Sequence, residues 1–164
     1  MNSSAVRPRD GPENWACTLD NLTGLMWEMK AAGGLRGKDN TYSWNNPNAA
    51  VNGGAPGTQN GGKCQGSSCD TKAYVQAVNE LKLCGAGDWR LPTRKELLSI
   101  VNNGRLNPAI DIGFFPNTPA AYFWTASPYA DQANLAWSVF FRYGEVYPVE
   151  KSQANQVRLV REVQ

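Results

Sequence analysis

The chain has 164 residues, 16 of them basic and 14 acidic, giving a formal charge of +2, and it contains no histidine. Near-neutrality excludes a strongly basic nucleic-acid or membrane-surface binder. The missing imidazole excludes Ser-His-Asp and Cys-His catalysis, histidine-ligated zinc or haem, and histidine pH switching.

The length fits one domain over residues 1–164. Charged residues are 18%, while Gly (16), Pro (10) and Trp (6) are plentiful, so the chain reads as loop-rich and held by aromatics. No apolar run approaches the roughly 20 residues that cross a bilayer as a helix. The start, Met1-Asn2-Ser3-Ser4, lacks a basic then apolar leader, so the expectation is an export leader removed upstream.

In chain order, residues 15–19 read as a strand, 20–24 as a turn carried by Asp20, Asn21 and Gly24, and 25–28 as a returning strand. The sequon Asn21-Leu22-Thr23 reads as turn chemistry. Residues 31–69 are rich in Gly and Asn and have little apolar periodicity. They read as a surface excursion pinned by Tyr42, Trp44 and a small disulfide loop. Asp70 or Thr71 can cap a helix bearing Tyr74, Ala77, Val78 and Leu81 at helical spacing, with Cys84 on the same face and Gly85 and Gly87 as its stop. Thr93-Arg94-Lys95-Glu96 is a capping box, opening a second helix with Leu97, Leu98 and Val101 inward and Asn103-Gly104 at its end.

The period then changes to two. Residues 123–126 read as a strand. Leu135, Trp137, Val139 and Phe141 alternate with Ala136, Ser138, Phe140 and Arg142. Tyr143-Gly144 turns the chain into a strand over 145–149. A last strand spans 156–163, with Val157 and Leu159 on one face and Arg158 and Val160 on the other. The predicted class is α+β, two helices on antiparallel sheet.

Four cysteines allow three pairings. Cys64 and Cys69 enclose four residues, Gln-Gly-Ser-Ser, and can close a small loop. The expectation is Cys64–Cys69 with Cys17–Cys84, and hence an oxidising compartment. Zinc is the rival reading, but it would want two CxxC knuckles, and Cys17 and Cys84 are each isolated.

Asp20-Asn21-Leu22-Thr23-Gly24-Leu25-Met26-Trp27 and Gly87-Asp88-Trp89-Arg90-Leu91-Pro92-Thr93-Arg94-Lys95-Glu96-Leu97 resemble the N-terminal and central motifs of the Lcl C-terminal domain family. Phe123-Trp124-Thr125-Ala126-Ser127, Ala136-Trp137 and Val157-Arg158-Leu159-Val160-Arg161 resemble its later blocks. The resemblance runs from about Asp20 to Arg161, with a Gly-rich insertion longer than the family's usual one. It implies a C-type-lectin-like fold and an exported bacterial surface or envelope protein. The implied ligands are glycans such as sulfated glycosaminoglycans or host matrix.

Trp27, Trp89, Trp124 and Trp137 read as structural. Arg90, Arg158 and Arg161 read as satisfied arginines, with Asp88 a partner or turn former. Arg158, Arg161 and Lys151 could compose an anionic-sugar site, although positions 158 and 161 point to opposite faces of a regular strand. The better ligand candidates are Phe140, Arg142, Tyr143, Glu145 and Tyr147 around one hairpin, with Lys151 beside them. No metal or cofactor is expected: neither Glu-Pro-Asn nor Gln-Pro-Asp occurs, and Asp39-Asn40 and Asp131-Gln132 lack calcium-loop density.

The formylglycine-generating enzymes, which share the implied fold class, use a cysteine pair in their C-terminal part. Here Cys84 is the last cysteine, and the carboxylate pair Glu145/Glu150 has no visible pKa-shifting context, so no catalysis is expected. A protein-receptor module with a variable hairpin face, and an envelope or pilus component with a possible homo-oligomer interface, are the alternative expectations.

Overall fold

In a computed structural model, the structure describes residues 16–163 together with a strand at Ser3–Val6. That strand, β1, had no signal in the sequence reading. The predicted strand start at Trp15 lies outside the described residues. β2 (Cys17–Asp20) and β3 (Leu25–Glu28) form the first hairpin. Asp20 builds its turn: the carboxylate accepts from Leu22 N at 3.0 Å and Thr23 Oγ1 at 2.8 Å, and its carbonyl accepts from Gly24 N at 2.9 Å.

α1 (Thr71–Glu80) is capped by Asp70, whose Oδ1 accepts from Ala73 N at 2.9 Å. α2 (Arg94–Ser99) has the full capping box between Thr93 and Glu96. β4 (Tyr122–Pro128), β5 (Leu135–Phe140) and β6 (Glu145–Glu150) form a meander, and β7 (Val160–Glu162) closes the chain. The result is α+β. One antiparallel sheet has the order β1-β2-β3-β7 and a second the order β4-β5-β6.

Two cores share a wall. Tyr42, Trp44, Tyr74, Val78, Trp89 and Trp124 fill the first; Trp27, Leu97, Ile100, Phe115, Phe123 and Phe141 fill the second. Each large apolar side chain fully buried contributes about 1.5–3 kcal/mol. Val157 and Leu159 face the first core and Val160 faces the second. This segment also ties the sheets together. Trp124 N donates to Gln156 O at 2.9 Å, Glu28 N to Leu159 O at 2.9 Å, and Arg90 N to Val160 O at 3.0 Å. The expected alternation about 156–160 therefore holds, but formal strand is confined to Val160–Glu162, because the preceding residues change partner at each step.

Both expected disulfides are present, Cys17–Cys84 with 67 residues of separation and Cys64–Cys69 with 5. Cys84 is not on a continued helix face. It lies within a short 3-10 turn, Leu83–Gly85, and has φ 51°. Leu81, expected inward, is 58% exposed, because α1 has already ended and Leu83 enters the core instead. In α2 the inward residue is Leu97, followed by the C-cap Ile100, while Leu98 faces out and the helix stops at Ser99, short of Asn103.

The excursion over 31–69 is not superficial. Tyr42 and Trp44 are fully buried, and Tyr42 packs on Tyr74 with ring centroids 4.6 Å apart. Trp44 Nε1 donates to Thr125 O at 2.9 Å, and Trp124 Nε1 donates to Tyr42 O at 2.6 Å. Isolated bridges such as Thr41–Lys63, Tyr42–Asn155 and Asn45–Gly57 supply the backbone partners that a buried irregular segment requires. Gly57 permits one of these approaches, since a Cβ there would stand 2.1 Å from Trp44 O.

Candidate functional site

The β5–β6 hairpin places most of the predicted ligand residues on one surface. Its last pair is Phe140–Glu145, leaving a four-residue loop over 141–144. Gly144 has φ 79°, and a Cβ there would meet Val101 Cγ1 at 2.6 Å, so the loop packs closely on the chain beneath it. Asn107 N and Ala109 N donate to Arg142 O and Phe141 O at 2.9 and 2.6 Å and hold the tip in place.

On this frame sits an aromatic ledge. Tyr122 and Phe140 are opposite each other across β4 and β5 and stack with centroids 4.3 Å apart and an interplanar angle of 9°. Tyr147 stands edge-on to both, at 5.9 and 6.4 Å, and Tyr143 edge-on to Phe140 at 5.7 Å. Such pairs contribute about 0.5–1.5 kcal/mol each beyond their buried area. Tyr143 is 47% and Tyr147 37% exposed, so ring surface remains open to solvent.

The Arg142 guanidinium lies 5.4 Å from the Tyr143 ring centroid, and the Tyr147 hydroxyl donates to Glu145. That bond, made to a carboxylate, raises the Tyr147 phenol above its ordinary value. Along the open edge of β6 the ledge continues into a cleft of about 430 Å³, lined by Tyr122, Tyr147, Pro148, Glu150 and Gln153 among others. Tyr122 was not among the sequence candidates. Its spacing from the interior Trp124 points inward, and only the β4–β5 register, which sets it opposite Phe140, brings it to the ledge.

Lys151 does not join this surface. It is 2% exposed, and its ammonium donates to Asn52 O, Ala55 O and Ala133 O at 2.7, 2.7 and 2.6 Å, 4.3 Å from the Trp44 ring centroid. It is a clamp that fastens the excursion to the second sheet. Burial lowers its pKa. The arginines are likewise engaged. Arg161 pairs with Asp88 at 2.6 Å, and Arg90 makes a bidentate pair with Glu96 at 2.8 Å for each bond. These bonds hold the Asp88 and Glu96 carboxyls below their ordinary values. Arg158 is fully buried. The possible anionic-sugar trio of Arg158, Arg161 and Lys151 is therefore dispersed through the molecule.

Arg158 belongs to a second polar arrangement that sequence reasoning did not find. Glu28, Lys30 and Tyr74 are each no more than 3% exposed. Lys30 Nζ donates to Glu28 Oε1 at 3.1 Å and to the Tyr74 hydroxyl at 3.0 Å; Tyr74 in turn donates to Glu28 Oε1. Leu159 N donates to Glu28 Oε2 at 2.9 Å. Arg158 reaches Glu28 O and Thr118 Oγ1, the latter at 2.7 Å, and its guanidinium lies 5.2 Å from the Phe115 ring centroid. Burial lowers the Lys30 pKa, with Glu28 opposing, and pulls Arg158 down to about 10. Burial first, and Glu28 second, push the Tyr74 phenol well above its ordinary value. No local sequence period marks this knot, because its members come together only through tertiary contact.

Of the tryptophans, Trp27, Trp89 and Trp124 are interior as expected, whereas Trp137 is only partly buried, beneath Arg94 at 4.5 Å and edge-on to Tyr129 at 5.0 Å. The expected single inward stripe on β5 is replaced by burial on both faces. Ala136 and Ser138 are covered as fully as Val139, and Asn155 Nδ2 lies 3.5 Å from Ser138 Oγ.

Glu145 and Glu150 are five positions apart on β6, which puts them on opposite faces and roughly 16 Å apart along the strand. Glu145 accepts from Tyr147, while Glu150 accepts both of its bonds, at 2.9 and 2.8 Å, from Asn134 Nδ2. Among the described residues no group of three or more His, Cys, Asp or Glu side chains is placed to hold a metal ion, and no helix is long and apolar enough to cross a membrane. The family model described as the Lcl C-terminal domain matches residues 16–161. No curated protein and no solved structure matches the chain.

Proposed function

Because the chain belongs to the Lcl C-terminal domain family, we propose that it is a non-catalytic, C-type-lectin-like binding module of an exported bacterial surface or envelope protein. We further propose that it holds glycans on the ledge of Tyr122, Phe140, Tyr143 and Tyr147. The observation that carries this reading is the exposed, mutually supported aromatic group on a rigid hairpin. Flat ring faces receive the apolar face of a sugar, while phenol, guanidinium and carboxylate at the rim receive its hydroxyls. Two disulfides suit an oxidising compartment. The pinned hairpin tip supports preorganisation, so little ordering cost falls on the ligand.

A glycan array, read with the wild type and with Tyr143→Ala/Tyr147→Ala, tests the reading. Retention on at least one class of sugar, lost in the double variant while near-ultraviolet circular dichroism keeps its folded signature, is the expected result. No retention on any sugar, in monomeric or multimerised form, would overturn it. The Arg142–Tyr143 pair favours a second reading, a protein receptor, since tyrosine and arginine anchor protein hot spots. That reading requires capture of a protein partner with all sugars removed.

A further inference from the structure

A second hollow is formed where the excursion meets the chain between α2 and β4. It measures about 340 Å³, at the lower end of the usual range for ligand clefts, and none of its lining residues belongs to the ledge. Its walls are apolar, built from the rings of Pro108, Pro116 and Pro119 and from Ile112, an isoleucine left exposed. It also carries two charges of opposite sign on consecutive residues, Lys38 and Asp39.

Both contributing segments are held in place. Lys38 N donates to Ala31 O at 2.8 Å, and Asn40 Nδ2 donates to Gly34 O and Leu35 O at 2.8 and 3.1 Å, which fixes the turn bearing the two charges. In the other segment Phe115 N donates to Asp111 O at 2.9 Å, and each proline has its φ locked by its ring. This second segment is also tied to the buried knot: Arg158 Nη2 donates to Thr118 Oγ1 at 2.7 Å and Asn117 Nδ2 to Lys30 O at 3.2 Å. A cleft built this way needs little ordering to receive a ligand.

The polar groups divide by availability. The Thr118 hydroxyl is buried, donates to Phe115 O at 2.7 Å and already accepts from Arg158. Lys38 is half-buried and Asp39 exposed, and their side chains hold only each other among the described residues, with Lys38 Nζ donating to the two Asp39 oxygens at 2.9 and 2.8 Å. An ion pair this open to water contributes little and is opened at little cost. A ligand therefore finds apolar surface within and, at the mouth, a cation and an anion on neighbouring residues. The matching group is a carboxylate and an ammonium on one carbon, with an apolar side chain attached.

We propose that this hollow is a second binding site, for a free α-amino acid with an aliphatic or aromatic side chain. Lys38 receives the carboxylate, Asp39 the ammonium, and Ile112 with the three prolines the side chain. The site goes beyond the glycan reading and does not depend on it.

The test is a titration of isotope-labelled protein with L-leucine and L-phenylalanine, followed by amide chemical shifts. Two derivatives run beside them: phenylalaninamide, which lacks the carboxylate, and N-acetylphenylalanine, which lacks the ammonium. Saturation with a Kd at or below about 1 mM is expected. The shifts should gather at Lys38, Asp39, Ile112 and Asn117 and be absent at Tyr143 and Tyr147. Each derivative should bind about tenfold more weakly than phenylalanine. Lys38→Gln should weaken phenylalanine to a similar degree and leave the amide unchanged, whereas Asp39→Asn should weaken phenylalanine and leave the N-acetyl form unchanged. Ile112→Ser should weaken all three. The same spectra report whether each variant is folded.

An absence of saturation up to about 10 mM would overturn the proposal. So would shifts centred elsewhere, equal affinity for free and blocked forms, or a loss in the variants that does not follow the charge removed. Binding that persists in Tyr143→Ala/Tyr147→Ala is expected, and its loss there would place the ligand on the ledge instead.

Discussion

The buried knot and the exposed ledge are built from the same chemistry. In each a tyrosine hydroxyl donates to a glutamate, Tyr74 to Glu28 and Tyr147 to Glu145, and in each an arginine lies over an aromatic ring, Arg158 over Phe115 and Arg142 over Tyr143. They differ in what surrounds them. Inside, Glu28 is completed by Lys30 and by Leu159 N, so that almost every polar atom has a protein partner. Outside, Tyr143 and Tyr147 remain partly open to solvent. The knot is matched to itself and contributes to the fold. The ledge is unfinished, and on the proposed reading a ligand completes it. Residue type alone does not separate the two regions; the completeness of the hydrogen bonding does.

The comparison breaks most visibly at its buried member. Glu28→Ala removes the carboxylate that Lys30, Tyr74 and Leu159 N share and leaves the Lys30 ammonium buried without a counter-charge, and it is expected to cost about 3–5 kcal/mol in urea unfolding. Glu145→Ala, which makes the equivalent change outside, is expected to stay within about 0.5 kcal/mol. Equal losses would refute the distinction.

The staples follow the same scale. Removing Cys17–Cys84 by the double serine variant should cost about 4 kcal/mol on the chain-entropy model, against about 2 kcal/mol for Cys64–Cys69, since the first closes 67 residues and the second 5. Lys151→Met strands three carbonyl acceptors and should cost roughly 2–3 kcal/mol. A limited-proteolysis time course should then show new cleavage within 46–58.

The smallest effect is on titration. The Tyr74 phenol is raised in the fold, so its contribution is present in full below its unfolded value of 10.0 and is lost as pH rises beyond that. Absorbance at alkaline pH should show Tyr74 and Tyr42 silent until the chain unfolds. Ionisation of all six tyrosines before any loss of circular dichroism would contradict the sealed character of the knot.

Local rules were legible in the sequence wherever a local interaction decides the outcome. The Asp70 cap, the Thr93–Glu96 box, the Asp20 turn, the β5–β6 hairpin and the Cys64–Cys69 loop all involve residues whose spacing states the contact, although the hairpin loop takes in 141–144 rather than 143–144 alone. The ledge was legible in part for the same reason, since Phe140, Arg142, Tyr143, Glu145 and Tyr147 are neighbours on one hairpin.

What escaped depends on distant partners. Ser3–Val6 becomes a strand only because β2 offers an edge. Lys151 looks like a surface cation until the carbonyls of Asn52 and Ala55, nearly a hundred residues earlier, are known to converge on it. The stretch over 31–69 reads as loose because its backbone partners are single bridges, which leave no period in the sequence. Leu81 and Leu98 fit a helical stripe, but each lies where its helix ends or turns outward.

The wall between the two cores has a kinetic meaning. Residues 156–160 supply side chains to both cores and backbone partners to Glu28, Arg90, Tyr122 and Trp124, so neither core is sealed before they arrive. A polypeptide emerging from a ribosome amino end first would hold Trp27, Trp44, Trp89 and Trp124 exposed until residues 156–160 had cleared. Closure then comes as one late step, the behaviour expected of a topology rich in distant contacts. Until that step the four indoles stay open to water, so residues 156–160 set the moment at which both cores are sealed.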